Sequence, residues 1–221
     1  LSSKSLANAL IEGLCTAGLN VINVGVVSSE MTYFAVGHYK YDGGVMVTAS
    51  HNPAEYNGFK LCREQAIPVS FETGIDRISK LTKQYHPLRG EHLGKVIVSD
   101  IFVDYKKHVL KFASNLRHLR VVIDAGNGMA GKTIPLVCEG LPIEIIPLYF
   151  ELDGSFPNHE ANPLKPENMV DLQKKVRETR AHLGVAFDGD ADRCVFVDEM
   201  GRIIGCDIIT ALIARQILER E

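Results

Sequence analysis

Two short stretches of this chain carry residues whose types and spacing could do chemistry. The first, residues 48–53 (T-A-S-H-N-P), presents Ser50 and His51 directly after the apolar run 45–47. A hydroxyl group at the end of a buried strand, flanked by a histidine, is a candidate nucleophile. Serine, asparagine and proline are also common in turns, so a capped turn stays open as the alternative for this stretch taken alone.

The second stretch, residues 188–193 (D-G-D-A-D-R), places three aspartates at alternate positions. Carboxylates this close together repel one another unless a cation neutralises them. Ligand sets made only of oxygen suit Mg²⁺ or Ca²⁺. The spacing therefore predicts a metal site formed by Asp188, Asp190 and Asp192, with a polar surface loop as the alternative.

Three other interpretations of these motifs can be compared with the sequence. An EF-hand is excluded, because Arg193 stands where the calcium loop requires glycine. A phosphatase with Asp188 as nucleophile stays open, although it leaves the third aspartate and Arg193 unexplained. Gly126, Gly128 and Gly131 form G-x-G-x-x-G after a predicted strand, but Glu144 begins the next strand instead of ending it, so a tight turn is at least as good as a dinucleotide site.

The predicted elements place both stretches at strand ends. The strand 44–49 leads to Ser50, and the strand 183–187 leads to Asp188. A turn at Asn57-Gly58 predicts a return strand that carries Lys60 back towards Ser50. Strands and helices alternate along the chain, which is typical of the α/β class. The other predicted elements include helices at 5–18, 29–39, 71–85, 100–114 and 166–180, one that ends at about Cys138 and one that begins after Asp207, strands at 21–24, 119–123 and 143–149, and a hairpin at 195–204.

Composition narrows the classes of function. With 46% hydrophobic residues in 221, the chain can build one large or two small domains around a real core. A net charge of −3 without a basic block argues against nucleic acid or an anionic membrane as partner. No apolar run approaches the roughly 20 residues of a membrane span. Five scattered cysteines favour a reducing, cytoplasmic location.

The ends of the chain predict a piece of a longer protein. The chain begins with Leu1 in place of methionine, and it stops at Glu221 after a helical pattern without a C-terminal capping glycine. A domain boundary is predicted between about Pro87 and Ser99, where a proline and glycine break the preceding helical pattern.

Together, the motifs resemble those of the α-D-phosphohexomutases, and most closely the phosphomannomutase/phosphoglucomutase branch. The resemblance covers essentially the whole chain in order. Ala191 departs from the pattern, because the family often has glycine there. The motifs that carry the resemblance are T-A-S-H-N-P at 48–53, Y-N-G-F-K at 56–60, D-x-G-N-G at 124–128, F-P-N-H at 156–159, P-E-N at 166–168 and D-G-D-A-D-R at 188–193.

The resemblance implies consecutive three-layer α/β/α domains with mixed sheets, in a fragment of a four-domain protein. Residues 1–93 would be most of the first domain, 94–199 the second, and 200–221 the start of the third. The C-terminal domains of the same protein would then be its missing partners.

The resemblance also implies a phosphohexomutase that interconverts hexose 1-phosphate and hexose 6-phosphate, with mannose or glucose as the sugar. Ser50 would carry the transferred phosphoryl group, and a sugar 1,6-bisphosphate would be the intermediate and activator. Asp188, Asp190 and Asp192 would bind Mg²⁺ together with an oxygen of phospho-Ser50.

Three further residues take roles by resemblance. Lys60 would lie near the transferred group, in substrate binding and in proton transfer or charge neutralisation. His51 would support the serine loop, and Arg193 would hold phosphate or substrate. The fragment alone is expected to be inactive. A non-catalytic module that binds sugar phosphates stays open beside the phosphatase.

Overall fold

The computed structural model describes residues 1–84, 90–113 and 116–219 of the chain, which form two compact units. The first unit comprises Leu1–Ala49 and Ala54–Lys107, and the second comprises Ser50–Pro53 and His108–Glu221. The predicted boundary region begins at Pro87, outside the described residues. The predicted division at residues 93 and 199 stays a prediction.

The first unit contains two small sheets. The strands β2, β3 and β4 form an antiparallel sheet, and β1 pairs in parallel with β5. Its elements are α1 Ser3–Thr16, β1 Val21–Asn23, α2 Ser29–Tyr39, β2 Gly43–Val47, β3 Phe59–Arg63, β4 Ile67–Pro68, α3 Asp76–Lys83, β5 Val96–Val98 and α4 Phe102–Leu110, within which the first unit ends. The predicted helix 29–39 and the return strand after Gly58 are confirmed. The predicted helix 71–85 is α3 preceded by a π-helical turn at Phe71–Ile75, and residue 85 lies outside the described part.

The core of the first unit forms around α2. Met31 and Ala35 lie one helical turn apart, so they share a face of α2, and both are buried with Val27 and Ile101. This face explains why the segment is helical despite its mixed composition, since packing supplies most of a short helix's stability. The helix ends at Tyr39, and the capping residue Lys40 follows it with a φ of 56°, in the left-handed region.

The second unit is built on one five-stranded sheet in the order β10-β9-β8-β6-β7. The strands β7, β6 and β8 run parallel, while β9 and β10 are antiparallel to their neighbours, so the sheet is mixed. The predicted strand 183–187 and the predicted hairpin after it are confirmed. Its elements are β6 Leu119–Asp124, α5 Ala130–Cys138, β7 Ile143–Leu148, α6 Val170–Thr179, β8 Leu183–Phe187, β9 Cys194–Asp198, β10 Ile203–Ile204 and α7 Cys206–Leu218.

Alternating residues of β6 face opposite layers of the second unit. Val121 and Ile123 belong to a cluster that includes Ile134 of α5. Val122, between them, belongs to a cluster with Leu172 and other residues of α6. Because successive side chains of a strand point to opposite faces, one helix covers each side of the sheet. This three-layer α/β/α arrangement confirms the predicted fold class.

Among the described residues, no helix combines the length and apolar character that crossing a bilayer requires.

Candidate functional site

Polar side chains gather where two parallel strands of the second unit end. Asp124 is the last residue of β6, and Asp188 follows the last residue of β8. The two strands are neighbours, with Asp124 in register with Ala186. Both carboxyl groups are fully buried. Ligands of open α/β sheets bind at the carboxyl ends of the strands, so this edge is the natural place for a site.

The serine loop of residues 50–53 meets this edge. Ser50 donates its hydroxyl hydrogen bond to Asp188 Oδ2 at 2.8 Å, although 138 positions separate the two residues. His51 Nδ1 lies 3.3 Å from the same hydroxyl oxygen. Ser50 has a φ of 54°, an uncommon value for any residue but glycine. Such strained backbone is concentrated at functional sites.

Arg193 links the serine to the loop after β8. Its Nε and Nη2 donate to Asp188 Oδ2 at 3.0 and 2.9 Å, and its backbone N–H donates to Asp188 Oδ1 at 3.0 Å. Nη2 also lies 3.3 Å from Ser50 Oγ. A planar, permanently charged guanidinium in this position can bind phosphate oxygens with two parallel hydrogen bonds.

The three aspartates of the loop converge. Oxygen atoms of Asp188, Asp190 and Asp192 lie within 4.8 Å of one another; the first two residues are buried and the third is exposed. Burial, and next the negative charge of Asp190, raise the pKa of Asp188, while hydrogen bonds from Arg193 and Ser50 act in the opposite direction. Such a cluster creates a strong local preference for positive charge.

These residues fit a hard divalent cation. All three offer carboxylate oxygens, the ligands that Mg²⁺ prefers. Mg–O distances of about 2.1 Å place neighbouring ligand oxygens about 3.0 Å apart and opposite ones about 4.2 Å apart, so side-chain movements on the order of 1 Å would close the cluster onto an ion. Arg193, whose guanidinium contacts Asp188, supplies one positive charge to the three carboxylates.

Small residues allow the loops to approach each other. A Cβ on Gly189 would lie 2.5 Å from the carbonyl oxygen of Ser50, so only glycine fits beneath the serine. Ala191 has a φ of 61°, where glycine is the usual residue. The departure from the family pattern therefore falls at a position where alanine bears a backbone cost that glycine would not.

The G-x-G-x-x-G pattern has a packing explanation. Gly126 has a φ of +50°, a Cβ on Gly128 would lie 2.7 Å from the carbonyl oxygen of Gly189, and one on Gly131 would collide with the backbone of Phe150. The backbone N–H of Met129 donates to the carbonyl of Gly189 at 2.9 Å. The tight turn, which packs on the aspartate loop, accounts for all three glycines without a nucleotide.

The residues predicted from sequence fall into two groups. Hydrogen bonds or carboxylate clustering bring together Ser50, His51, Asp188, Asp190, Asp192 and Arg193. Lys60 belongs to the first unit, on β3 opposite Met46, and its Nζ donates to Ser29 Oγ at 3.5 Å. The predicted role of Lys60 at the transferred group stays a prediction.

Sequence reasoning did not assign a role to Asp124 or His159, whose side chains meet at 3.0 Å beside this site. A signal was present, because Asp124 ends a buried strand just as Asp188 follows one. Its partner could not be read from sequence, because it lies 35 positions away in an irregular loop.

The chain is similar to known proteins along most of its length. The family model named phosphoglucomutase/phosphomannomutase alpha/beta/alpha domain I matches residues 1–88, and the family model of domain II matches residues 100–201. A protein of Xanthomonas campestris pv. campestris named phosphohexose mutases is 42% identical over 223 residues, covering 100% of this chain and 50% of the relative. A Vibrio cholerae phosphomannomutase is 40% identical over 228 residues, covering 100% and 49%.

A solved structure gives the same result. The crystal structure of a phosphoglucomutase/phosphomannomutase family protein from Burkholderia thailandensis superposes with a TM-score of 0.87 at 34% identity, covering 100% of this chain and 49% of that one. The chain thus spans about half the length of the curated relatives it matches.

Proposed function

The chain belongs to the phosphoglucomutase/phosphomannomutase family, and on that premise we propose that it is the serine-bearing half of a phosphohexomutase. The complete protein interconverts the 1- and 6-phosphates of a hexose, glucose or mannose, through phospho-Ser50 and a sugar 1,6-bisphosphate. One observation carries the proposal: Ser50 Oγ lies within hydrogen-bonding reach of both Asp188 and Arg193, at 2.8 and 3.3 Å. A nucleophile, an acceptor for its proton and a cation for its phosphate therefore meet at one atom.

The reaction consists of two phosphoryl transfers in opposite directions. Phospho-Ser50 first gives its group to the free hydroxyl of the hexose phosphate: a sugar O–P bond forms, the Ser50 Oγ–P bond breaks, the sugar hydroxyl loses its proton and Ser50 Oγ gains one. In the return step Ser50 Oγ attacks the other phosphate, and the sugar oxygen leaves and takes up a proton. Asp188 Oδ2, which accepts the Ser50 hydrogen bond, is the nearest acceptor for the serine proton.

Positioning and charge neutralisation supply most of the catalysis in phosphoryl transfer. Mg²⁺ bound by Asp188, Asp190 and Asp192 would withdraw charge from the transferred group. Arg193 holds phosphate oxygens through its Nη2, which already lies beside the serine. We assign His51 to fixing the orientation of the hydroxyl, from its 3.3 Å contact. Lys60 keeps its proposed role in substrate binding and in proton transfer or charge neutralisation.

The geometry disfavours the phosphatase in which Asp188 is the nucleophile. Asp188 is fully buried, and both of its carboxylate oxygens accept hydrogen bonds, from Arg193 and Ser50. Attack on phosphorus requires access to the substrate, which the burial of Asp188 restricts. Ser50 is only partly buried and is the better nucleophile by position.

We also propose where the remaining substrate contacts come from and where the complete protein is located. The other half of the relatives' length supplies the sugar-recognition and distal phosphate contacts, and the hexose phosphate is the partner molecule. We place the protein in the cytoplasm, in agreement with its scattered cysteines, none of which forms a disulfide in the described chain.

Mutants of the complete protein test this function. We expect Ser50→Ala to abolish interconversion of hexose 1- and 6-phosphates, because no atom remains to carry the phosphoryl group. Asp190→Asn should weaken Mg²⁺ binding and slow turnover severely, since one charged ligand is lost. Ser79→Ala, an exposed serine of α3, is the matched control and should keep wild-type rates. Intact mass spectrometry should find one phosphate, mapped to Ser50.

Two results would contradict the proposal. Wild-type rates in Ser50→Ala with an inactive Asp188→Asn would favour the aspartate-nucleophile phosphatase. Binding of hexose phosphates without any turnover in the wild-type protein would favour a non-catalytic module.

A further inference from the structure

His159 makes a buried contact that the proposed chemistry does not use. Its Nε2 lies 3.0 Å from Asp124 Oδ2, and its Nδ1 lies 2.9 Å from the backbone carbonyl of Glu160. Asp124 is fully buried, and the His159 side chain is only 13% exposed. The other oxygen of Asp124 accepts the backbone N–H of Gly126 at 2.9 Å.

The partners of His159 determine its protonation. A carbonyl oxygen cannot donate, so Nδ1 must carry a proton and donate to Glu160. The second contact then needs one more proton, on Nε2 or on the carboxyl group of Asp124. An isolated imidazolium has a pKa of about 6.5 and a carboxyl group one of about 3.9, so the proton belongs on the ring. The pair is therefore an imidazolium and a carboxylate.

This ion pair lies at the start of the loop 124–129, which packs against the aspartate loop. Asp124 begins the loop, and Met129, at its end, donates its N–H to the carbonyl of Gly189 between Asp188 and Asp190. Within the loop, the side chain of Asn127 accepts a hydrogen bond from Asn158 Nδ2 at 2.8 Å. Two consecutive residues, Asn158 and His159, thus fasten the loop at two points.

The same segment reaches the aspartate loop directly. The ring of Phe156 lies beside Gly189, 3.5 Å from where a Cβ would stand. The residues 156–159 therefore contact both loops of the site.

We propose that His159 is a positioning residue, whose imidazolium paired with Asp124 holds the loop 124–129 against residues 188–190 and so fixes the metal-binding carboxylates. The effect of His159 on turnover rests on the proposed function. Its effect on the loop does not, because the hydrogen bond of the Met129 amide and the protonation of His159 can be measured without a substrate.

The pH dependence follows from the charged groups around the ring. The hydrogen bond to Asp124 raises the pKa of His159 above its ordinary 6.5, burial opposes this, and the more distant Asp171 of α6 adds to the increase. Tyr149, which packs edge-on against the ring, has a pKa raised to about 12 and stays neutral. The stabilisation is therefore complete below about pH 6.5 and is lost as pH rises through the raised pKa of the folded state.

Nuclear magnetic resonance of the 221-residue chain gives the first test. In ¹⁵N spectra of the imidazole rings at pH 6, we expect both nitrogens of His159 to be protonated, with a titration midpoint above 6.5. The hydrogen-exchange protection of the Met129 amide, corrected for the intrinsic rate, should fall across the same pH range. A titration midpoint at or below 6.5 would overturn the proposal, whether or not any variant folds.

Substitutions give the second test. In His159→Gln we expect roughly tenfold faster exchange of the Met129 amide, because losing a charged hydrogen bond shifts a local opening equilibrium by about that factor. Affinity for Mn²⁺, used as the probe, should fall by a similar factor, because a loosened Met129–Gly189 contact frees the carboxylates on either side of Gly189. The double variant His159→Gln with Asp124→Asn should recover part of both losses, because it removes the unpaired buried charge.

The matched control is His182→Gln. His182 is an exposed histidine of the same unit that precedes β8, at the end of the strand opposite to Asp188, and accepts the backbone N–H of Arg120. It should leave both readouts unchanged. A folded His159→Gln chain with wild-type Met129 exchange and wild-type Mn²⁺ affinity would overturn the proposal. If mutase activity fails to appear in the complete protein while these results hold, the proposed function fails and this inference stands.

Discussion

Gly189 shows how a single missing side chain sets the geometry of the site. An added Cβ would lie 2.5 Å from the Ser50 carbonyl oxygen and 3.5 Å from the ring of Phe156. We expect Gly189→Ala to lower the free energy of unfolding by about 1–3 kcal/mol, as overpacking does elsewhere. Mn²⁺ affinity should also fall, because the aspartates on either side must move. Urea denaturation and calorimetric Mn²⁺ titration measure the two effects.

Ala191→Gly is the control for this prediction in the same loop. At a φ of 61°, alanine bears a strain of roughly 1–2 kcal/mol, and glycine removes it at an entropic cost of roughly 0.5–1 kcal/mol. The free energy of unfolding should therefore stay the same or rise slightly. Equal destabilisation by both substitutions would show that the loop tolerates no change, and that the contact with Ser50 is not the cause.

At this scale, sequence could predict what depends on local spacing. Three alternate aspartates must crowd, and a serine after a buried strand must lie near its end, so Asp188 and Ser50 are identifiable without coordinates. The pair of Asp124 and His159 is different, because it depends on the path of an irregular loop. Even the rotation of Ser50 into the left-handed region has no sequence signal, since serine does not favour a φ of 54°.

Among the elements, α6 and β6 contribute buried residues to one core cluster of the second unit. Leu172 of α6 is fully buried in the cluster that contains Val122 of β6. We expect Leu172→Ala to lower the free energy of unfolding by roughly 2–5 kcal/mol, the usual cost of a cavity in a packed core. Chemical denaturation of the chain monitors the loss.

The same substitution on α7 is the matched control. Leu212 is 45% exposed, and no residue of this helix is buried. Leu212→Ala should change the free energy of unfolding by less than about 1 kcal/mol, because little apolar surface is removed from contact. A cost for Leu212 as large as that for Leu172 would mean that α7 packs on the unit more closely than its exposure indicates.

Sequence predicted the elements best where periodicity was undisturbed. The limits of α2 and β8 agree with the predicted 29–39 and 183–187, because apolar spacing and a buried run mark them clearly. The turn at Asn57-Gly58 predicted the return strand but not the length of the connection between the two strands. The strands β2 and β3 do pair, with Val47 opposite Phe59, but the whole segment 48–58 connects them. A long functional loop leaves no short-range signal of its length.

At the scale of the whole molecule, the position of the site bears on what the chain can do alone. A sugar bisphosphate that turns over between two transfers must be held while both of its ends exchange places, which requires a closed site. The second unit presents Ser50, the three aspartates and Arg193. In the described chain after β9, the cationic side chains are Arg202 and Arg215, and each is paired with a carboxylate, of Asp198 and Glu219. A distal phosphate would have to compete with these carboxylates for either arginine.

We therefore expect the 221-residue chain to fold and bind Mg²⁺, and to carry no mutase activity on its own. The relatives that it matches are about twice as long. We expect the second phosphate-binding surface to come from the half of their length that this chain does not cover. The helix α7 exposes apolar side chains that such a remainder could cover, among them Ile208, Leu212 and Ile213. A coupled assay with glucose 1-phosphate and catalytic glucose 1,6-bisphosphate measures the activity, with the complete protein as the positive control and calorimetry confirming Mg²⁺ binding by the shorter chain. Turnover by the 221-residue chain at a rate near that of the complete protein would mean that this half already closes around its substrate, which would remove the reason for assigning distal phosphate binding to the other half.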